Sequence, residues 1–330
     1  DADISTTGGA STGNVAQGGA AGLIRLDTNG GLITLTSSFL DAWGGAGSTQ
    51  GAGGNITING ALELAGTPVL IDTGDTGGDI TFADVINSAS ATALTLTAGT
   101  GRVDFDGAVG SVANGELGAI TIKSAGTVLA DSTIEAASFI QEGAVAGTGL
   151  TQFDGKLTLT GAFDFTGTDL TFTAAGNSVG DGMDVTNAGT FTTDDDATLG
   201  VSDHFTQDGD GTSSIGANLT VDGSIDFKTA IALTGSDAVK FATDGDMGQD
   251  IVLGTDATTD ITGAGKELIL DAGPDGNITI EGDVGADGAA LGAITIAGAD
   301  QVLFDETVTA ASFTQDGANS TSGLTTFDGA

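Results

Sequence analysis

From Asn55 onward, apolar and polar residues alternate in short bursts. Ile56 and Ile58 fall on one parity with Thr57 between them, and Leu62 and Leu64 repeat the beat. That two-residue period belongs to a strand with one buried face. The bursts last four to six residues and are broken every six to nine by Gly, Asp-Gly, Asn-Gly or Ala-Gly, the residue types that turn a chain. The stretch 157–173, LTLTGAFDFTGTDLTFT, shows the unit most plainly. Leu157, Leu159, Phe163, Phe165, Leu170 and Phe172 share the inward parity, while Thr158, Thr160, Asp164, Thr171 and Thr173 share the outward one. Three short strands with corners at Gly161–Ala162 and Gly167–Thr168, in about 22 residues, predict one triangular coil of a β-helix.

The pattern recurs over long distances. SFIQEGAVAGTGLTQFDG at 138–155 is rewritten as SFTQDGANSTSGLTTFDG at 312–329, and HFTQDGDGTSSIGANLTVDG at 204–223 carries the theme with a longer middle. Phe139, Phe205 and Phe313 then read as equivalent positions, 66 and 108 residues apart, or about three and five coils of roughly 22 residues. The long repeat is 174 residues, and residues 55–155 resemble 218–329. The expected fold is therefore all-β: a right-handed parallel β-helix, one continuous β-solenoid over 1–330, with about 22 residues per coil and roughly 15 coils. An antiparallel sandwich is the structural rival, disfavoured by a coil that repeats in phase. Residues 1–54 are less regular, with Gly-rich stretches around GLIRLD and GLITLTS, and Trp43 reads as a flap over a coil edge.

Composition narrows the function classes. Fifty-seven Gly, two Pro, one Trp and no Tyr depart from average usage, yet 39% apolar residues in regular positions predict a packed fold. Forty-five acidic residues against seven basic ones give a formal net charge of −38. Phosphate binding needs clustered Lys and Arg, so nucleic acid is excluded as a partner. No apolar run is long enough for a membrane span. No basic leader with an apolar core opens the chain, so a signal peptide is expected to be removed or to lie outside this segment. With no Cys there are no disulfides and no thiolate metal sites.

Candidate chemistry is sparse. In the F-x-Q-[DE]-G anchors, Phe139 with Gln141, Phe205 with Gln207 and Phe313 with Gln315 share a face. They predict inward stacking, or a Gln bonding backbone at a corner, with a sugar-binding aromatic as the functional alternative. Phe153 and Phe327, in the T-x-F-D-G endings, are expected to fill the coil in the same way, and all five rings are expected to be buried. Oxygen-rich loops suit calcium, and the candidates are Asp194, Asp195, Asp196, Asp208, Asp210, Asp244, Asp246 and Asp250, against the alternative of solvated acidic corners. Two charges one rung apart repel by only about 0.9 kcal/mol in water, so no cofactor is required and calcium would merely help. The single His204, the absence of a nucleophile elbow and the scattered cations predict that the chain is not an enzyme.

The coil length, the ITI, LTLT and LTFT strands and the recurring SF-x-Q-[DE]-G resemble giant bacterial surface proteins with β-strand repeats, of the filamentous haemagglutinin-like adhesin and autotransporter passenger type. The resemblance spans roughly 55–329 and implies secretion, a β-helical shaft on the bacterial cell surface and a role in attachment or fibre building. It carries over no catalytic residues. The function expected is a structural or adhesive extracellular repeat protein, a shaft segment whose partners are itself, head to tail or within a longer chain, and cell-surface carbohydrate or protein receptors. A surface-layer or matrix protein stays open as an alternative. So does an ice-binding or carbohydrate-binding β-helix, the former resting on the outward pairs Thr34/Thr36, Thr95/Thr97, Thr158/Thr160 and Thr171/Thr173.

Overall fold

A computed structural model describes residues 4–11, 17–28, 30–36, 38–66, 68–143, 149–243, 249–316 and 324–329. The chain divides into two compact units, 1–168 and 169–330. Each is a β-solenoid, and all the strand pairings described below are parallel.

In residues 1–168 the coil has three sides. The first is the ladder Ile24–Asp27, Ile56–Asn59, Ile80–Phe82, Arg102–Phe105, Thr127–Ala130 and Leu150–Phe153. The second runs through Ile33–Leu35, Leu62–Leu64 and Ile86–Ser88, then through single bridges at Val109 and Ile134, to Leu157–Leu159. The third runs from Ile4–Ser5 through Ser38–Asp41, Val69–Asp72, Leu94–Thr97 and Leu117–Ser124. Strand Ile134–Gln141 turns a corner: its first residues pair with Leu157–Leu159 on the second side and its last with Phe163–Gly167 on the third. Alternation along each strand puts like residues in inward columns, such as Ile58, Phe82, Phe105, Ala130 and Phe153.

Residues 169–330 repeat the plan. Asp169–Phe172, Thr190–Thr193, Thr212–Ile215, Ile231–Leu233 and Ile261–Thr262 form the first side, extended by bridges to Val284 and Val308. The second side climbs from Asn177–Val179 through Leu199–Val201, Leu219–Val221, Val239–Thr243, Leu268–Asp271 and Leu291–Gly298 to Ala310–Gln315. The third contains Met183–Asn187, Phe205–Asp208, Ile225–Phe227, Ile251–Leu253, Asn277–Ile280, Gln301–Phe304 and Leu324–Phe327. Leu157, Leu159, Phe163, Phe165, Leu170 and Phe172 are all buried, as the alternation requires.

On the first side six rungs lie in residues 1–168 and seven in 169–330, roughly 23 residues apart, rather than the expected 15 coils. The reason is uneven coil length. Ile24 pairs with Ile56 and Ile4 with Leu40, so the Gly-rich coils use 32 and 36 residues per turn. Ser213 to Ile231 takes 18, and Ile231 to Ile261 takes 30. The same unevenness separates two anchors that look equivalent in sequence. Phe205 climbs the third side through Ile225, Ile251 and Ile278 to Val302, which is four turns. From there the chain passes Val308 on the first side before Phe313 arrives on the second. The 108 residues between them therefore make four turns and two further sides, not five coils, and Phe205 and Phe313 face different directions.

Candidate functional site

The anchor glutamines do not bond to backbone alone; each meets a threonine hydroxyl. Thr151 Oγ1 donates to Gln141 Oε1 at 2.8 Å, Thr229 to Gln207 at 2.9 Å and Thr325 to Gln315 at 2.6 Å. Gln207 also donates through Nε2 to Asn187 Oδ1 at 2.6 Å and to the carbonyl of Asp208 at 3.2 Å. Asn187 in turn donates to the carbonyls of Gly189 and Thr212. A buried amide needs partners on both ends, and this chain of contacts supplies them. Thr151 and Thr325 belong to the repeated GLT-x-FDG ending, so the sequence carries the signal for two of the pairs. In the middle copy the matching residue, Thr220, is exposed, and Thr229 takes the role.

Phe139, Phe153 and Phe205 are buried, Phe139 stacking on Phe163 with centroids 5.5 Å apart. The expected burial of Phe313 and Phe327 is not observed: they are 38% and 51% exposed. Both rings pack on Phe304, at 5.9 and 4.9 Å, and on each other at 5.6 Å. Among the described residues no ring lies on the next rung as Phe163 does for Phe139.

The acidic residues fall into a pattern that the sequence does not reveal. The side-chain oxygen of a residue just before, or opening, a strand accepts a backbone N–H from the next rung. Asn55 takes Asp79 at 3.0 Å, Asp79 takes Arg102 at 2.9 Å, and Asp169 takes Thr190 at 2.7 Å. Asn218 takes Lys240 at 2.8 Å, Asp250 takes Asn277 at 2.8 Å, and Asp283 takes Thr307 at 2.9 Å. These are stitches along the axis, satisfying donors that corners leave without a ladder partner.

Of the calcium candidates, Asp194, Asp195 and Asp196 share one turn, closed by Ala197 N–H on the Asp194 carbonyl at 2.9 Å. Asp195 accepts from Ser236 N–H at 3.1 Å. Asp208 accepts from the Thr186 hydroxyl at 2.6 Å, Asp210 is exposed, and Asp250 is a stitch. Asp244 and Asp246 lie outside the described residues. Among the described residues no three His, Asp or Glu side chains converge as a metal would need. The threonine pairs do not converge either: within 1–168, Thr34 and Thr158 lie on the second side, Thr95 on the third. Outward hydroxyls stack only briefly, as Thr57 on Thr81 before Asp104 interrupts the column.

Burial and neighbouring charges perturb several titratable groups. Asp104 is buried, which pushes its carboxyl above the ordinary range, while the guanidinium of Arg102, donating through Nε at 2.7 Å, pulls it back. His204 is held above its usual pKa by its hydrogen bond to Asp203 at 2.8 Å, aided by Asp184 at 3.4 Å. Asp72 is pushed up by burial, against hydrogen bonds from Gly74 N–H and the Trp43 side chain.

Trp43 supplies an aromatic groove that no repeat or periodic pattern marks. It is 42% exposed and lines an open groove of ≈ 410 Å³ with Thr7, Gln50 and the glycines 8, 44 and 45. Its backbone N–H donates to Asp41 Oδ1 at 3.1 Å, and Gly74, which packs on the indole, donates its N–H to Asp72 Oδ1 at 2.7 Å. Asp41 and Asp72 are register partners on neighbouring rungs. No protein-family model matches the chain, and neither does any curated protein or solved structure.

Proposed function

We propose that the chain is a structural segment of an extracellular bacterial repeat protein, a stiff spacer within a surface fibre or large adhesin. The observation that supports this most is the density of axial bonding: three parallel ladders in each unit, with Asp and Asn stitches between rungs where the ladders stop. A solenoid bonded along its axis resists bending, because every rung is tied to the next on all sides. The acidic surface keeps such segments apart in solution. Inside the coil, Gln207, Asn187 and Thr229 are spent on one another rather than aimed at a substrate. No helix among the described residues is long and apolar enough to cross a membrane. Immunogold labelling of intact source cells tests the reading. Label standing away from the envelope along fibres is expected, and label that appears only after permeabilisation would overturn it.

A further inference from the structure

We propose that the Trp43 groove binds a small organic ammonium cation, with the indole face as its cation–π surface. The inference is independent of the spacer role. A groove of ≈ 410 Å³ suits a small ligand, and none of its lining residues carries a positive charge. The ring is held on its protein side: its backbone N–H donates to Asp41, and a Cβ on Gly74 would stand in ordinary contact, 3.8 Å from indole Cγ and Cδ1.

Asp41 Oδ1 lies 3.1 Å from Trp43 N, and Asp72 Oδ1 lies 2.7 Å from the N of Gly74, which packs on the indole, so the ring sits in a negative field. An aromatic face so placed attracts a weakly hydrated cation. A hard metal ion would want several oxygens at once, and no such cluster exists among the described residues. A neutral sugar would stack on the same ring but gain nothing from the charge.

Trp43 is the only Trp and there is no Tyr, so intrinsic fluorescence reports this groove alone. Choline is the probe, with sodium chloride at matched ionic strength as the blank. A saturable change is expected with choline, and binding of 3,3-dimethylbutanol, the same shape without charge, should be weaker by about tenfold or more. Asp72→Asn should weaken choline several-fold while leaving dimethylbutanol unchanged, with circular dichroism confirming that the variant is folded. No saturable change up to about 50 mM choline, or equal or tighter binding of the neutral isostere or of cellobiose, would overturn the assignment. The comparison of charged and neutral probes on the unaltered protein decides the matter even if the variant does not fold.

Discussion

Between Thr6 and Gly54 glycine backbone fills much of the described interior, beside a few side chains such as Ile24 and Leu40; between Phe172 and Phe241 the interior is side chains, with a row of aromatic rings. In the first region Gly18, Gly44, Gly45, Gly51 and Gly54 are buried, and the chain passes so close to itself that a Cβ on Gly44 would overlap the carbonyl of Gly51, and one on Gly45 the carbonyl of Gly9. Hydrogen bonds run straight through the glycines, from Gly19 N–H to Gly9, Gly45 to Gly19 and Gly51 to Gly45, at 2.7–2.9 Å. In the second region Phe172, Phe191, Phe205, Phe227 and Phe241 touch in series with centroids 4.8–6.3 Å apart. One region gains its cohesion from hydrogen bonds and close approach, the other from apolar area, of which a fully buried Phe contributes roughly 1.5–3 kcal/mol. The first region also leaves Leu23 and Leu32 more than half exposed. The same triangular path can thus be closed around a thick side-chain core or around a thin one packed with glycine backbone.

The comparison breaks first at a ring. Phe205→Ala leaves a void between Phe191 and Phe227 and should cost about 3–5 kcal/mol, read as a fall in the denaturant midpoint. A loss under about 1 kcal/mol would show that the rings are spectators. Gly44→Ala is the matching lesion in the glycine region. The neighbour it meets is backbone, which cannot rotate aside, so a cost of about 1–3 kcal/mol is expected. Gly9→Ala meets nothing within 4 Å and should change stability by less than about 0.5 kcal/mol. If both substitutions were equally mild, close backbone packing would not be what holds residues 6–54.

Much of this architecture is legible in the amino-acid pattern. The parity of 157–173 names the buried side chains, and Gly and Asp-Gly name corners, because alternation and turn chemistry are local. The coil count is not legible. Turn length varies from 18 residues to 36, and a loop inserted at a corner leaves no mark on the strands beside it. Nor is the side on which a motif sits: SF-x-Q-[DE]-G specifies its own coil, whereas the direction it faces depends on every strand between copies. That is why Phe313 and Phe205 lie on different sides. The groove at Trp43 is hidden because glycine runs give no periodic signal, and only folding brings Gly74, with the Asp72 carboxylate on its N–H, against an indole 31 positions earlier.

The stitches are illegible for a different reason: an Asp at a corner looks the same whether it faces water or holds a backbone N–H. Asn55 and Asn218 perform the task of Asp79 and Asp250, so an oxygen is required and a charge is not. Asp250→Asn should therefore be close to neutral, while Asp250→Ala should cost about 1 kcal/mol and speed hydrogen exchange at Asn277. Equal loss in both variants would mean that charge does the holding, and the comparison of Asp with Asn stitches would fail.

The smallest effect expected is at His204, in the coils built on rings. Its imidazole lies over Gly182, where a Cβ would collide with Cε1, between the carboxylates of Asp203 on its own rung and Asp184 on the rung before. Both neighbours favour the imidazolium, so the folded pKa is raised, with the hydrogen bond to Asp203 the largest cause. A raised folded pKa means that the folded state holds the proton more tightly than the unfolded one. The stabilisation is then complete below about pH 6.5 and fades as pH climbs through the higher folded value. The side chain is 43% exposed, so screening keeps the effect under about 1 kcal/mol. Burial raises the carboxyls of Asp41, Asp72, Asp104 and Asp226 as well, and these too favour the fold as pH falls, in a lower window. Only the difference between wild type and His204→Gln isolates the imidazole. That difference should be largest at pH 6 and small by pH 9, and a difference that grew with pH would show that the carboxylates do not hold the proton on His204.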